Sequence, residues 1–260
     1  MDMITKEAFI NSFLEYENNS ISKLYDQIIL SKKINGTIYS KVFTYPDIYK
    51  KLKNMENNLQ IKVYCNGVFK EFDRAMLAFD CYEEPHYYPI DLLKICNRSK
   101  FKNLQHKDYL GAMMSLGIKR ELLGDLILDE ECCYVPVYNE ITDFIILNLT
   151  NINTCSCEVI IVDEPLKNAP KIKFEERTIV VTSLRLDNII SSLCNVSRSK
   201  ALELIESNKV LLNHIGILKK DKLLCSGDIL TIRGYGKFKI CDFISKTQSQ
   251  RLRISIKKYN

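Results

Sequence analysis

The sequence predicts an α+β protein of three units, and three observations carry that prediction. Apolar residues recur at helical spacing near the N-terminus. A βαββαβ order runs through residues 89–163. A basic C-terminal stretch combines two short helices with several short strands. The chain has 260 residues, enough for one large domain or two to three small ones. The expected division is a small N-terminal α/β unit over 1–78, a central domain over 79–166 and a C-terminal domain over 178–260. Lys167-Asn168-Ala169-Pro170-Lys171 reads as a short linker.

Residues 5–33 read as two helices broken near Asn18-Asn19-Ser20, with Ile21, Leu24, Tyr25, Ile28 and Ile29 on one face. Tyr45-Pro46-Asp47 opens a third helix, with Pro46 at the first position, where its missing N–H costs nothing. Leu59, Ile61, Val63 and Cys65 alternate with polar neighbours as in a half-buried strand, and Asn66-Gly67 signals a turn. Nothing here has a catalytic pattern; Phe13 and Tyr25 read as core.

In the central unit, strands are expected at Ile90–Cys96, Asp125–Leu128, Cys133–Tyr138 and Val159–Val162. The helix at 106–116 should face inward through Leu110, Met113 and Met114, and the helix at 139–149 through Ile141, Phe144, Ile145 and Leu149. This order fits a ferredoxin-like fold, which RNA-recognition modules share, so the unit is also RRM-like. Base stacking on its sheet is not expected: Cys132 to Tyr138 lacks the Gly of the aromatic RNA-binding strand, and Pro136 removes a ladder donor. Gly111 inside a helix costs about 1 kcal/mol relative to Ala, which a close backbone approach would account for. Lys119 and Arg120 follow the helix end. They are either a solvated basic terminus favoured by the helix dipole or a second RNA contact.

From residue 178 onward there are 15 Lys and Arg against 6 Asp and Glu, a net of +9, although the whole chain carries only +5. A basic module on a mildly acidic body points to a polyanion. A strand at Thr178–Thr182 leads in. Leu186, Ile189, Ile190 and Leu193 make a helical face, which Asn195 can close. Ser197 can cap a second helix that turns Ala201, Leu204 and Ile205 inward and Arg198 and Lys200 outward. Cations in a first turn oppose the dipole, and a helix N-terminus that tolerates them invites a phosphate. Val210 to Asn213 and Ile229 to Ile232 read as strands, Arg233-Gly234-Tyr235-Gly236-Lys237 as a cationic loop, and Arg251 to Lys258 as an alternating basic strand or tail.

Arg185-Leu186-Asp187, Ser197-Arg198-Ser199-Lys200-Ala201, the strand from Val210 to Asn213, and Gly227-Asp228 together resemble the RNA-binding domain of small-subunit ribosomal protein S-four. That resemblance implies an αL fold that grips RNA with its second helix and the turn after it. Asn208 and His214 stand where that family commonly has Gly. The block His106-Lys107-Asp108-Tyr109-Leu110-Gly111, with Gly117-Ile118-Lys119-Arg120-Glu121 and Gly124-Asp125, is similar to a signature of the YlmH family of bacterial RNA-binding proteins. So is Arg233-Gly234-Tyr235-Gly236-Lys237-Phe238. The resemblance implies a non-enzymatic protein that binds rRNA or tRNA on the large ribosomal subunit; cysteine usage and the polar N-terminus point to a cytoplasmic protein, and a monomer is expected. It also implies a part in ribosome-associated quality control of stalled nascent chains and, in some bacteria, in cell division. The expected RNA contacts are Arg185, Arg198, Ser199, Lys200, Asn213, Lys219, Lys220, Arg233 and Lys237, with Asp187 orienting a neighbouring arginine or capping locally.

Other classes fit less well. Ten cysteines without a Cys-x-x-Cys or a paired Cys/His cluster argue against zinc and are expected as reduced thiols. The N-terminus is too polar for a signal peptide, and no apolar run approaches the roughly 20 residues that cross a bilayer. A pseudouridine synthase or RNA methyltransferase is the enzyme alternative. Yet Arg185-Leu186-Asp187 follows Leu184 rather than Gly, and no Gly-x-Gly precedes residue 234. His86, His106 and His214 lack a nucleophile signature. No catalytic residue, metal or cofactor is expected. A division adaptor working through the acidic N-terminal unit is the third class.

Overall fold

Thr5 lies just ahead of the first helix and its side chain accepts from the Ala8 N–H, so the chain enters structure through a side-chain cap. In the computed structural model the described residues are 4–14, 16–99, 103–170 and 174–259. They divide into two units, Met1–Lys171 and Ile172–Asn260.

The first unit begins with α1 (Lys6–Asn11), α2 (Asn18–Ile34), β1 (Ile38–Thr44), α3 (Pro46–Asn54), α4 (Glu56–Leu59), β2 (Lys62–Asn66) and β3 (Ala75–Asp80). Helix α1 ends at Asn11, and Asn18 to Ser20, expected at the break, open α2. Pro46 opens α3 as anticipated. The strands form a sheet in the order β1-β3-β2, on which α2 and α3 pack Ile21, Leu24, Ile28, Ile48 and Leu52. Neither β1 nor β3 has a readable alternation in the sequence. The register of β1 shifts between Tyr39 and Phe43, with Lys41 in the left-handed region (φ 58°). All six residues of the central strand β3 are buried, so its sequence is uniformly apolar up to Asp80. The expected boundary at residue 78 falls inside that strand.

Next come β4 (Ile90–Asn97), α5 (His106–Ser115), β5 (Ile127–Asp129), β6 (Cys132–Tyr138), α6 (Thr142–Asn148), β7 (Asn151–Ile152), β8 (Cys155–Ile161) and α7 (Pro165–Asn168). The sheet order β5-β6-β4-β8-β7, antiparallel throughout, is the ferredoxin-like arrangement with a short extra edge strand. Leu93, Ile95, Cys133, Val135 and Val137 face α5 and α6. Two inward assignments are corrected: Met114 is 42% and Phe144 46% exposed. Tyr109 is buried in place of Met114, and its hydroxyl donates to the Glu131 carbonyl at 3.1 Å. A Cβ on Gly111 would meet nothing within 4 Å, so no close approach explains this glycine. Gly111→Ala is therefore expected to stabilise by about 0.5–1 kcal/mol, read as a higher urea midpoint. Cys96 and Cys132 sit directly opposite on β4 and β6 and form a disulfide, contrary to the expectation that all ten thiols are reduced. The linker expected at 167–171 begins within α7; Lys171 and Met1 to Met3 lie outside the described residues.

The second unit runs β9 (Phe174–Val181), α8 (Leu186–Cys194), α9 (Arg198–Glu206), β10 (Val210–Leu212), β11 (Ile215–Gly216), β12 (Ile229–Ile232), β13 (Gly236–Lys246) and β14 (Leu252–Tyr259). Its antiparallel sheet has the order β11-β10-β12-β13-β14-β9. Leu186, Ile189, Ile190, Ala201, Leu204 and Ile205 from the two helices pack on alternate strand residues such as Leu230, Phe238, Ile240, Ile254 and Ile256. Asn195 ends α8 in the left-handed conformation, and Ser197 caps α9 by accepting from the Lys200 N–H. Asn208 (φ 56°) and His214 (φ 71°) adopt the left-handed region where Gly is usual in the resembling domain. Asn tolerates this with little cost and His with more.

Candidate nucleic-acid interface

No side chain caps α8. Its Leu186 and Asp187 N–H groups donate instead to the carbonyls of Lys222 (2.9 Å) and Lys220 (3.1 Å). These bonds lay the 219–222 loop against the start of α8 and bring exposed Lys219, Lys220 and Lys222 beside Arg185. Arg185 donates twice to Asp187, at 3.1 and 3.2 Å, and Arg198 at the start of α9 donates to the same carboxylate at 2.8 Å. The Asp187 side chain is only 5% exposed, whereas Arg185 is 37% and Arg198 58% exposed. Burial alone would raise the Asp187 carboxyl, but hydrogen bonds and charge from the two arginines outweigh it and hold the group below the usual carboxylate range. A guanidinium has five N–H donors, so each arginine keeps donors for a ligand while its plane is fixed.

Around this pair, Ser199 and Lys200 are exposed on the first turn of α9. Lys200 bonds Glu203 at 2.5 Å, and chiefly that contact holds its ammonium above the ordinary lysine range. Arg233 is exposed, anchored through its N–H to the Lys209 carbonyl at 2.9 Å. Gly234 (φ 88°) and Gly236 (φ 122°) supply the backbone shape of its turn.

Three of the expected contacts are not placed beside this pair or are engaged elsewhere. The Asn213 amide is engaged within the turn: Nδ2 donates to Asp228 and Oδ1 accepts from the Ile229 N–H, both at 2.9 Å. Lys237 lies on the other sheet face, where its ammonium sits 4.0 Å from the Tyr259 ring centre. In the first unit Arg120 turns inward and donates to the carbonyls of Leu123 (2.6 Å) and Gly124 (3.0 Å); Lys119 stays exposed. Arg120 belongs to a junction that the sequence did not reveal. Asp125 accepts from the Asp73 (2.5 Å) and Arg74 (3.1 Å) N–H groups, and Arg74 lies over the Tyr45 ring and donates to its hydroxyl. Burial and the neighbouring Arg74 charge push Arg120 down to about 10. Burial pushes Asp125 up to about 6, against the pull of the Arg74 N–H and both guanidiniums.

Part of the central sheet face opposite α5 and α6, where RNA-recognition modules stack bases, is covered. Tyr88 and Tyr138 pack there with Phe43, Met76 and Ala78 of the N-terminal sheet. Two exposed cations were missed in the sequence: Lys222, on the turn that carries Lys220, and Lys209, whose carbonyl accepts from the Arg233 N–H. Adjacency to Lys220 signalled the first, whereas Lys209 is remote from Arg233 in sequence. Among the described residues no group of three or more His, Cys, Asp or Glu is placed to hold a metal ion. No helix there is long and apolar enough to cross a membrane.

Residues 84–165 match the family model described as "Putative RNA-binding domain in YlmH". Over 159 residues the chain is 29% identical to the "Ribosome-associated protein quality control protein P2" of Bacillus subtilis (strain 168). That match spans 61% of this chain and 62% of that relative. Among solved structures, the "Cell division protein ylmH from Streptococcus pneumoniae" aligns at 22% identity and a TM-score of 0.47, over 55% of this chain and 89% of that one.

Proposed function

We propose that this chain, whose central domain belongs to the YlmH family, is a non-enzymatic RNA-binding protein of the ribosome. In this reading it holds rRNA or tRNA on the large subunit and acts in quality control of stalled nascent chains. The observation that carries the reading is the buried Asp187 carboxylate fixing Arg185 and Arg198 on two adjoining helix starts, with Lys200, Lys219 and Lys220 exposed beside them. Fixed guanidiniums suit phosphate oxygens because their planar donors bond two oxygens at once. The buried acid of this cluster, Asp187, is ion-paired to both arginines and held below the usual carboxylate range, which does not suit a general base. The ribosomal part of the proposal draws on the name of the Bacillus relative.

Two experiments test it. Purified protein should co-sediment with large ribosomal subunits and crosslink to RNA through Arg198 or Lys200. Recovery of no RNA would favour a protein adaptor, and a chemically altered nucleotide would favour a modifying enzyme. Changing Arg198 and Lys200 together to Ala should weaken binding and flatten the log affinity–log salt line by about one unit per lost phosphate contact. An unchanged slope would remove these two side chains from the interface.

A further inference from the structure

We propose that the sheet face of the C-terminal unit turned away from α8 and α9 is a second RNA surface, which takes a single-stranded segment across Lys237, Lys239, Arg253, Lys257, Phe174 and Tyr259. It lies on the opposite side of the sheet from the Arg185–Arg198 pair and stands independently of the reading given for that pair.

Strand alternation places these residues. Phe238, Ile240, Ile254 and Ile256 point into the helical core, so Lys237, Lys239, Arg253 and Lys257 point to the other face. On β9, Ile179 and Val181 are buried while Val180 is 43% exposed, which puts Phe174 and Glu176 on the outer face too. Lys239 and Lys257 are direct cross-strand partners. Like charges so paired repel and destabilise the sheet, and a bound polyanion reverses the sign of that term. Glu176 on this face reaches Lys257 only at 3.8 Å.

The aromatic residues make the face more than a basic patch. Tyr259 and Phe174 are cross-strand partners in edge-to-face contact at 4.9 Å. Lys237 lies 4.0 Å from the Tyr259 ring centre and Lys257 5.2 Å from that of Phe174. Each ring therefore holds a lysine stem in place, which lowers the entropy lost when its ammonium binds a phosphate. A base that takes the ring face moves the ammonium on to the adjoining phosphate, so one contact replaces another. Cations interleaved with rings on an open sheet are how single strands are bound without sequence preference. Burial and the nearby Lys239 charge push Lys237 down to about 8.

The test uses the full chain with a fluorescein-labelled oligouridylate of about ten nucleotides, within the site size of single-strand binders. An unlabelled RNA hairpin first saturates the helix-side cations. The oligouridylate should still bind. Lys237→Gln, Lys239→Gln and Lys257→Gln combined should weaken it at least tenfold and lower the salt slope by about two units, at about 0.7 per contact on a single strand. Hairpin binding should not change. Arg253→Gln with Lys257→Gln serves if the triple variant does not fold, and should lose about 1.4 units of slope at about 0.7 per contact. Wild-type affinity in the variants, complete displacement by the hairpin, or no oligouridylate binding by the parent would overturn the proposal. So would equal, variant-sensitive binding of polyglutamate, which would mark a site for acidic polypeptide. Loss of hairpin binding alone would count against the Arg185–Arg198 reading and leave this one standing.

Discussion

Replacing Asp125 by Ala should destabilise the first unit by about 2–4 kcal/mol, the largest loss expected from a single substitution there. Its carboxylate accepts the backbone N–H groups of Asp73 and Arg74, which would be left without that acceptor beneath the Tyr45 and Phe43 packing. It also supplies negative charge beside Arg120, which burial and the Arg74 charge already hold below the ordinary guanidinium range. A unit of this size shifts its melting temperature by about 2–4 °C per kcal/mol, so a fall of roughly 5–15 °C is expected in a thermal scan. Arg120→Ala should act in the same direction through the carbonyls of Leu123 and Gly124, whereas Lys119→Ala should leave the melting temperature unchanged. If Arg120→Ala instead weakened RNA binding at an unaltered melting temperature, the inward placement of Arg120 would be wrong.

That junction also shows how far the sequence could be read. Where a single periodicity dominates, the elements were legible: α8 and α9 with their Asn195 and Ser197 ends, and the order that gives the ferredoxin-like sheet. Strand β3 was not, because a strand buried on both faces has no alternation to betray it, and neither was β1, whose bulge breaks the period. Met114 and Phe144 follow the helical period yet sit at the margin of the packed face, where spacing alone cannot separate buried from exposed. Arg120 read as a solvated helix end or an RNA contact, and Asp125 as the start of a strand, because the backbone groups that Asp125 binds, Asp73 and Arg74, are remote in sequence. The cations of the second unit were legible as charge, but not as two sets. Assigning Lys237 to the face away from α9 requires the register Thr231–Lys237 that pairing with β12 fixes.

Asp187→Asn is the decisive change for the helix-side cations, because two physical effects predict opposite signs. Removing a negative charge raises the attraction for a polyanion, so charge alone predicts tighter binding. Removing the carboxylate also frees Arg185 and Arg198, which it now holds in three hydrogen bonds, and each must then be ordered when RNA binds. Ordering a long side chain costs about 0.5–1.5 kcal/mol, so freeing two costs about 1–3, against a long-range gain largely screened at physiological salt. Affinity should therefore fall, by roughly tenfold, with the salt slope retained because the same phosphates are still contacted. The depressed Asp187 pKa bounds the conditions: the stability from this pairing is fully present above the ordinary carboxylate pKa of about 4 and is lost as pH falls through the lower folded value. Across neutral pH the parent chain should therefore show no loosening of the two arginines, and the comparison with Asp187→Asn is clean. Tighter binding by that variant would mean that Asp187 restrains the arginines' charge rather than directing their geometry.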